Sequence, residues 1–272
     1  MSPWLQAIVG WGVLAVLMSV LWLIQWRSRD AGIVDVFWAL GVGGLSIFFA
    51  SVSDGEMNRR VVVALLGSLW ALRLGSYLFA RVQRMPEDGR YVTLREEWGA
   101  RAQLNFFVFF QMQAFWSVLF ALAMLIACQS FAPLSWLDAI GGAIWGLSLI
   151  GESVADHQLA RFRADPANLG QVCRVGLWNY SRHPNYFFEW LHWWSYVFIG
   201  WSAPFGWLTV FAPLLMLFFL FRVTGIPPTE ARALVSRGAL YREYQEPTSA
   251  FVPWPPKRAG LEKVCSSIES SG

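Results

Sequence analysis

The chain has 272 residues, of which 56% are hydrophobic and only 14% charged, with 17 tryptophans and a formal net charge of +3. That balance excludes an ordinary soluble domain, and so small a net charge implies no nucleic-acid partner. Cys128, Cys173 and Cys265 are odd in number, and the histidines at 157, 183 and 192 are widely separated, so neither a disulfide framework nor a bound metal is expected.

Apolar runs of the length that crosses ~30 Å of hydrocarbon as helix fall near 4–26, 32–52, 61–80, 104–128, 134–152, 185–201 and 205–222. The predicted fold class is all-α, a polytopic membrane bundle of about seven transmembrane helices. The first run is too long for a signal-peptide core, and no basic residue precedes it in Met-Ser-Pro-Trp, so it is expected to persist as a mature helix. With the N-terminus outside and the C-terminus cytoplasmic, 18 Arg and Lys residues lie inside, against Arg59 and Arg60 outside and Arg73 within a span. This satisfies the positive-inside rule and points to a bacterial inner membrane, with the lipid bilayer as partner. No repeat or linker divides the chain, so a single domain is expected over 1–259, with disorder over 260–272.

Polar residues interrupt these spans in chain order. Asp35 in GIVDVFW, Arg73 and Tyr77 in LWALRLGSYLFAR, and Gln111 with Gln113 in FFQMQAF all require partners at membrane depth. An Asp35 to Arg73 ion pair and a substrate-facing role are both compatible with the pattern. Arg81 and Arg84 end the third span, where snorkelling and phosphate binding are the alternatives. Two long inner loops are predicted, over 85–101 and 155–183.

At GESVADHQLARFR, continuation of the fifth helix would set Glu152, Asp156 and Arg163 on one face. Carboxylates there suit ribose hydroxyls or a carboxamide, and a guanidinium suits phosphate oxygens. A helix end solvated by its own ion pairs is the plainer reading. Arg182, His183, Asn185 and Glu189 then stand between two apolar stretches, an expensive place for polar groups. Pro184 should start the sixth span, so that free backbone amides beside Arg174 and Arg182 form an anion site. Asn185, Glu189, His192 and Trp193 share one face of that helix, although Glu189 could simply complement the helix dipole within an aromatic belt. Residues 229–245, with Leu234, Gly238 and Tyr241 on one face, suit a helix lying on the membrane surface.

GESVADHQLARFR, GLWNYSRHPNYFFEW and YREYQEPTSAFVPW together resemble the steroid 5-alpha-reductase family, above all its bacterial relatives of undefined function. The resemblance covers most of the chain, with its specific motifs in the C-terminal half. It implies a seven-helix membrane reductase with NADPH entering from the cytosol, residues 1–128 forming the substrate side and 134–259 the cofactor side. Asp156, Arg163 and Asn185 match family cofactor contacts, Trp193 a position near the nicotinamide, and Arg174, Arg81 and Arg84 phosphate-side arginines. Glu152 stands where the steroid enzymes carry asparagine. Their Gln-Glu pair in the second span is absent between Gly32 and Val52, where Asp35 is the only acid.

The resemblance implies reduction of a carbon-carbon double bond conjugated to a carbonyl in a lipid-like substrate. Asp35 or Tyr77 would act as the acid at the carbonyl, and Glu189 with His192 would order the nicotinamide end. A second resemblance is to isoprenylcysteine carboxyl methyltransferases. It rests on Arg182-His183-Pro184-Asn185-Tyr186, then Glu230, then Gly238, Tyr241 and Tyr244. The stripe from Glu152 to Arg163 opposes it, because S-adenosylmethionine has no phosphate to neutralise. A non-enzymatic lipid-binding membrane protein is the third reading.

Overall fold

A computed structural model describes residues 1–257; residues 258–272, which include the predicted disordered segment 260–272, lie outside the described residues. Ten α-helices, joined by short 3-10 and π turns, account for the order of the described chain, and among the described residues there is no strand. Six helical segments are long and apolar enough to cross a membrane: Pro3–Ser28, Ile33–Val52, Met57–Arg84, Gly89–Ala127, Trp136–Ala164 and Gly206–Arg237. The protein is a multi-pass helical membrane protein.

The count is one below the seven expected. The predicted sixth span is a helix over Pro184–Gly200, whose 17 residues reach about 25 Å at 1.5 Å per residue, the short end of the range for crossing a bilayer.

The chain divides into two compact units, Met1–Gly142 with Ser195–Ala212, and Ala143–Trp194 with Pro213 onward. In the first, α1 (Pro3–Ser28) starts where Ser2 accepts from the Leu5 amide and Pro3 occupies the first turn. Its buried residues Gln6, Gly10, Leu14, Met18, Leu21 and Gln25 form one stripe, while Trp4, Ile8, Val13 and Val16 stay exposed. An apolar helix with one narrow buried stripe suits lipid contact over the rest of its surface.

Helix α2 (Ile33–Val52) meets α3 (Met57–Arg84) at small residues. A Cβ on Gly43 would lie 2.3 Å from that of Ala71, and one on Gly67 would lie 2.4 Å from the Ser46 hydroxyl. Such close backbone approach is how helices associate where lipid removes the hydrophobic drive. Polar bonds do the same between α1 and α5 (Ala102–Ala127). Trp22 donates to the Gln103 carbonyl at 2.9 Å, Gln25 to the Gln103 side chain at 2.9 Å, and Gln111 to Ser19 at 3.0 Å.

The predicted inner loop 85–101 contains a helix, α4 (Gly89–Trp98). The missed signal is a local cap: Asp88 accepts from the Arg90 amide at 2.9 Å.

The second unit includes the latter part of α6 (Trp136–Ala164), most of α7 (Pro184–Gly200), and the tail. Helix α6 runs past the expected end at 152 to Ala164 and absorbs the start of the predicted loop 155–183. Helix α8 (Phe211–Phe218) passes through a π turn, Phe219–Val223, into the tail. The single surface helix predicted over 229–245 is two helices, α9 (Ile226–Arg237) and α10 (Ala239–Gln245). They break at Gly238, whose φ of 52° places it in the left-handed region. The break lets Ala233, Tyr241 and Tyr244 bury together against Val172 and Leu234.

Candidate functional site

The second unit gathers most of the residues that the sequence singles out. Helix α6 presents Glu152 and Asp156, both buried, and α7 begins at Pro184 as predicted. The two helices touch closely, since a Cβ on Gly151 would come 2.3 Å from the Phe188 ring. At the next turn the Asn185 amide donates to Asp156 Oδ1 at 3.3 Å. Glu152 and Glu189 each lie one helical turn beyond that contact, and Glu189 accepts from the Trp193 indole at 3.1 Å. Glu189 is 9% exposed and Trp193 is fully buried. Glu152 and Asp156 of the predicted α6 stripe therefore face Asn185 and Glu189 of the predicted α7 face in one polar strip, buried except for the half-buried Asn185, while Arg163 of that stripe lies outside it, exposed. Gly151→Ala is expected to cost about 1–3 kcal/mol by overpacking this seam. A lowered thermal midpoint in detergent would report it, and an unchanged midpoint would mean that Phe188 turns aside freely.

The loop between α6 and α7 is pinned to α6. Gln158 accepts from the Leu177 amide at 2.9 Å, and the Trp178 indole donates to the Ala155 carbonyl at 2.9 Å. Gly176, at φ 58°, lies so close to Gln158 that a Cβ would come 2.2 Å from its amide nitrogen, so both its backbone conformation and its lack of a side chain are used. Tyr244 closes the loop from the tail, donating to the carbonyls of Trp178 and Ser181. Burial raises its phenol above the ordinary value, so it stays a donor.

Arg163 and Arg174, the predicted phosphate ligands of this unit, are both exposed. The Arg163 charge acts on the Cys173 thiol, which burial nonetheless holds above its ordinary value. Arg174 donates to the Leu240 carbonyl at 3.3 Å and lies over the Tyr244 ring at 5.6 Å.

Arg182 and His183 are engaged by an acid from the tail. Glu230 Oε1 accepts from Arg182 Nε at 2.6 Å and lies 3.2 Å from His183 Nε2. Arg182 Nη1 also donates to the carbonyls of Gln245 at 2.9 Å and Thr248 at 2.7 Å. His183 stacks on Tyr186 with the ring planes 9° apart. At the predicted anion site, two amides already have acceptors, that of His183 in Ser181 Oγ and that of Tyr186 in Asn185 Oδ1.

In the first unit, Asp35 at the start of α2 accepts from Arg90 Nη2 at 2.9 Å and from the Tyr91 hydroxyl at 2.8 Å, so α4 supplies its partners. Arg81 pairs with Asp88, which Arg90 also meets at 3.3 Å, and Arg95 pairs with Glu87 at 2.9 Å. Burial works against the Asp88 charge, but the Arg90 and Arg81 cations and the Arg90 amide outweigh it and hold the carboxyl below its ordinary range. Arg84 ends α3 exposed, and Tyr77 is half-buried on the same helix. A small, open recess lies beside Asp35, lined also by Asp30, Gly32, Arg81, Pro86 and Glu87. Among the described residues, no group of three or more His, Cys, Asp or Glu side chains could hold a metal ion.

Sequence reasoning missed Arg90, Tyr91 and Gln245, and reached Glu230 only through the methyltransferase resemblance. The cap at Asp88 could have revealed α4 and so drawn attention to Arg90 and Tyr91. Gln245 carries no local signal.

Long apolar helices with a buried strip of acids and amides between two of them define a multi-pass membrane protein with an internal polar site. The chain belongs to a family described as "Protein of unknown function (DUF1295)", whose model matches residues 21–248. It is similar to "Uncharacterized protein C594.04c" of Schizosaccharomyces pombe (strain 972 / ATCC 24843), with 26% identity over 280 residues, covering 90% of this chain and 79% of that protein. No solved structure matches it significantly.

Proposed function

We propose that this protein is an integral membrane reductase that uses NADPH to reduce a conjugated carbon-carbon double bond in a steroid-like or other lipid enone. The observation that carries this reading is the strip of buried Glu152, Asp156, Glu189 and Trp193, with the half-buried Asn185, between α6 and α7. Acids with an amide and an indole, removed from water, fit a ligand rich in hydroxyl and carboxamide donors. The exposed guanidinium groups of Arg163 and Arg174 in the same unit fit its phosphates. The resemblance of these motifs to the steroid 5-alpha-reductase family adds support, and the positive-inside bias favours a cytoplasmic cofactor side in the bacterial inner membrane.

A bound nicotinamide supplies a hydride equivalent. The protein's own side chains then have three tasks. The strip binds and orients the nucleotide, with Arg182 and His183 shaping the start of α7, and the apolar faces around the strip keep water out. A proton is held for the carbonyl oxygen by Tyr77 or Asp35. Asp35 already accepts from Arg90 and Tyr91.

The contact of Arg182 and His183 with Glu230 favours a second reading, S-adenosylmethionine-dependent methyl transfer, since it joins the elements of that resemblance. Thermal stabilisation of the detergent-purified protein separates the readings. NADPH is expected to raise the midpoint more than NADH, with no effect of S-adenosylmethionine. A shift with S-adenosylmethionine alone would replace the reductase by the methyltransferase, and no shift with any of the three would favour a lipid-binding protein. Tyr77→Phe is expected to abolish enone turnover while leaving the NADPH shift intact.

A further inference from the structure

We infer that Glu230 is a positioning residue for the nucleotide strip, acting through the first turn of α7; the inference rests on the reductase reading. Its carboxylate is a three-way junction. Oε1 takes Arg182 Nε at 2.6 Å and His183 Nε2 at 3.2 Å, and Oε2 takes Gln245 Nε2 at 2.9 Å. One acid on α9 thereby ties the two residues before Pro184 to α10.

The surroundings leave this junction little freedom. The Arg182 side chain is 12% exposed, that of Glu230 16% and that of His183 4%. The Arg182 amide donates to the Ser249 carbonyl at 2.8 Å, and the Ser181 hydroxyl to the Phe251 carbonyl at 2.7 Å. Beyond Pro184, Tyr186 Oη and Thr229 Oγ1 are 3.3 Å apart, a second link between α7 and α9. Asn185 lies between these anchors and carries the amide that meets Asp156. Its placement follows from where Arg182 and His183 are held, and a shift of about 1 Å is enough to break a hydrogen bond of 3.3 Å.

Glu230→Gln keeps the shape of the junction but removes its charge; turned one way the new amide leaves Gln245 without its acceptor, and turned the other way it leaves Arg182 Nε without one. The test is titration of full-length detergent-purified protein with NADPH, followed by quenching of tryptophan fluorescence. Glu230→Gln is expected to weaken binding about tenfold, the scale of one charge-assisted hydrogen bond. In an Asn185→Ala background the same change should weaken binding by less than about threefold, because a residue acting through Asn185 has nothing left to position. Arg182→Lys, which keeps the charge but not the guanidinium fork, should behave in the same way if Glu230→Gln does not fold. As a control for stability alone, Arg59→Met in the first unit should lower the thermal midpoint and leave the affinity unchanged.

Wild-type affinity in Glu230→Gln, or the full tenfold loss persisting in the Asn185→Ala background, would overturn the positioning role while leaving the reductase reading in place. Absence of NADPH binding by the wild-type protein would overturn both.

Discussion

Arg59→Met should destabilise the protein by about 3–5 kcal/mol, the usual consequence of breaking a buried ion pair by removing one partner. Arg59 is 1% exposed at the start of α3, and its guanidinium grips Asp138 of α6 in a fork, Nε to Oδ1 at 2.8 Å and Nη2 to Oδ2 at 2.9 Å. It also donates to the Ser130 hydroxyl at 2.6 Å and to the carbonyls of Ala132 at 2.7 Å and Pro133 at 3.1 Å. One side chain thus organises the connection between α5 and α6. Asp138 has a second task, accepting from the Ser135 amide at 2.7 Å in the first turn of α6.

Methionine would fill the volume but leave the Asp138 charge buried and three acceptors without their donor. The double variant Arg59→Met/Asp138→Leu should recover much of the loss, because replacing a buried pair by apolar groups of similar size is often close to neutral. Chemical denaturation in a fixed detergent would measure both. A single variant within about 1 kcal/mol of wild type would mean that the pair behaves as an exposed one.

The second large effect is on ligand binding. Asp156→Ala and Asn185→Ala are each expected to weaken NADPH binding by about 10- to 100-fold, since each removes a polar partner from the strip. At a concentration 100 times the wild-type dissociation constant, the ligand stabilises the wild type by about 2.7 kcal/mol, and a hundredfold loss of affinity would leave about 0.4 kcal/mol. Asn185→Asp should do at least as much harm, because it sets a carboxylate against Asp156 in place of a donor. Melting with and without NADPH reads all three variants. Undiminished stabilisation in both alanine variants would remove the strip from the cofactor site and with it the main support for the reductase reading.

Much of this strip is legible in the sequence. The spacing of Glu152 and Asp156 puts them on one helix face, the proline at 184 marks a helix start, and the steps from Asn185 to Glu189 and Trp193 follow the helical repeat. What the spacing could not reveal is that Asn185 meets Asp156, 29 positions earlier in the chain. The tail was harder to read. Its hydrophobic pattern suggested one surface helix, but Gly238 breaks it and turns Tyr241 and Tyr244 inward.

The charged residues divide along the same line. The expense of Asp35 at membrane depth is plain from the sequence, but the partners of the charged residues are distant. Asp35 meets Arg90 55 residues away, Arg59 meets Asp138 79 away, and Arg182 meets Glu230 48 away. Helix formation in a membrane is settled locally, because each backbone polar group must find its partner within the segment, so apolar length and caps are sufficient to read it. A buried charge finds its partner through the packing of separate helices to within an ångström or two. The helices that make up this protein were therefore written into successive stretches of its sequence, and the pairing of its acids and arginines was settled only when those helices came together.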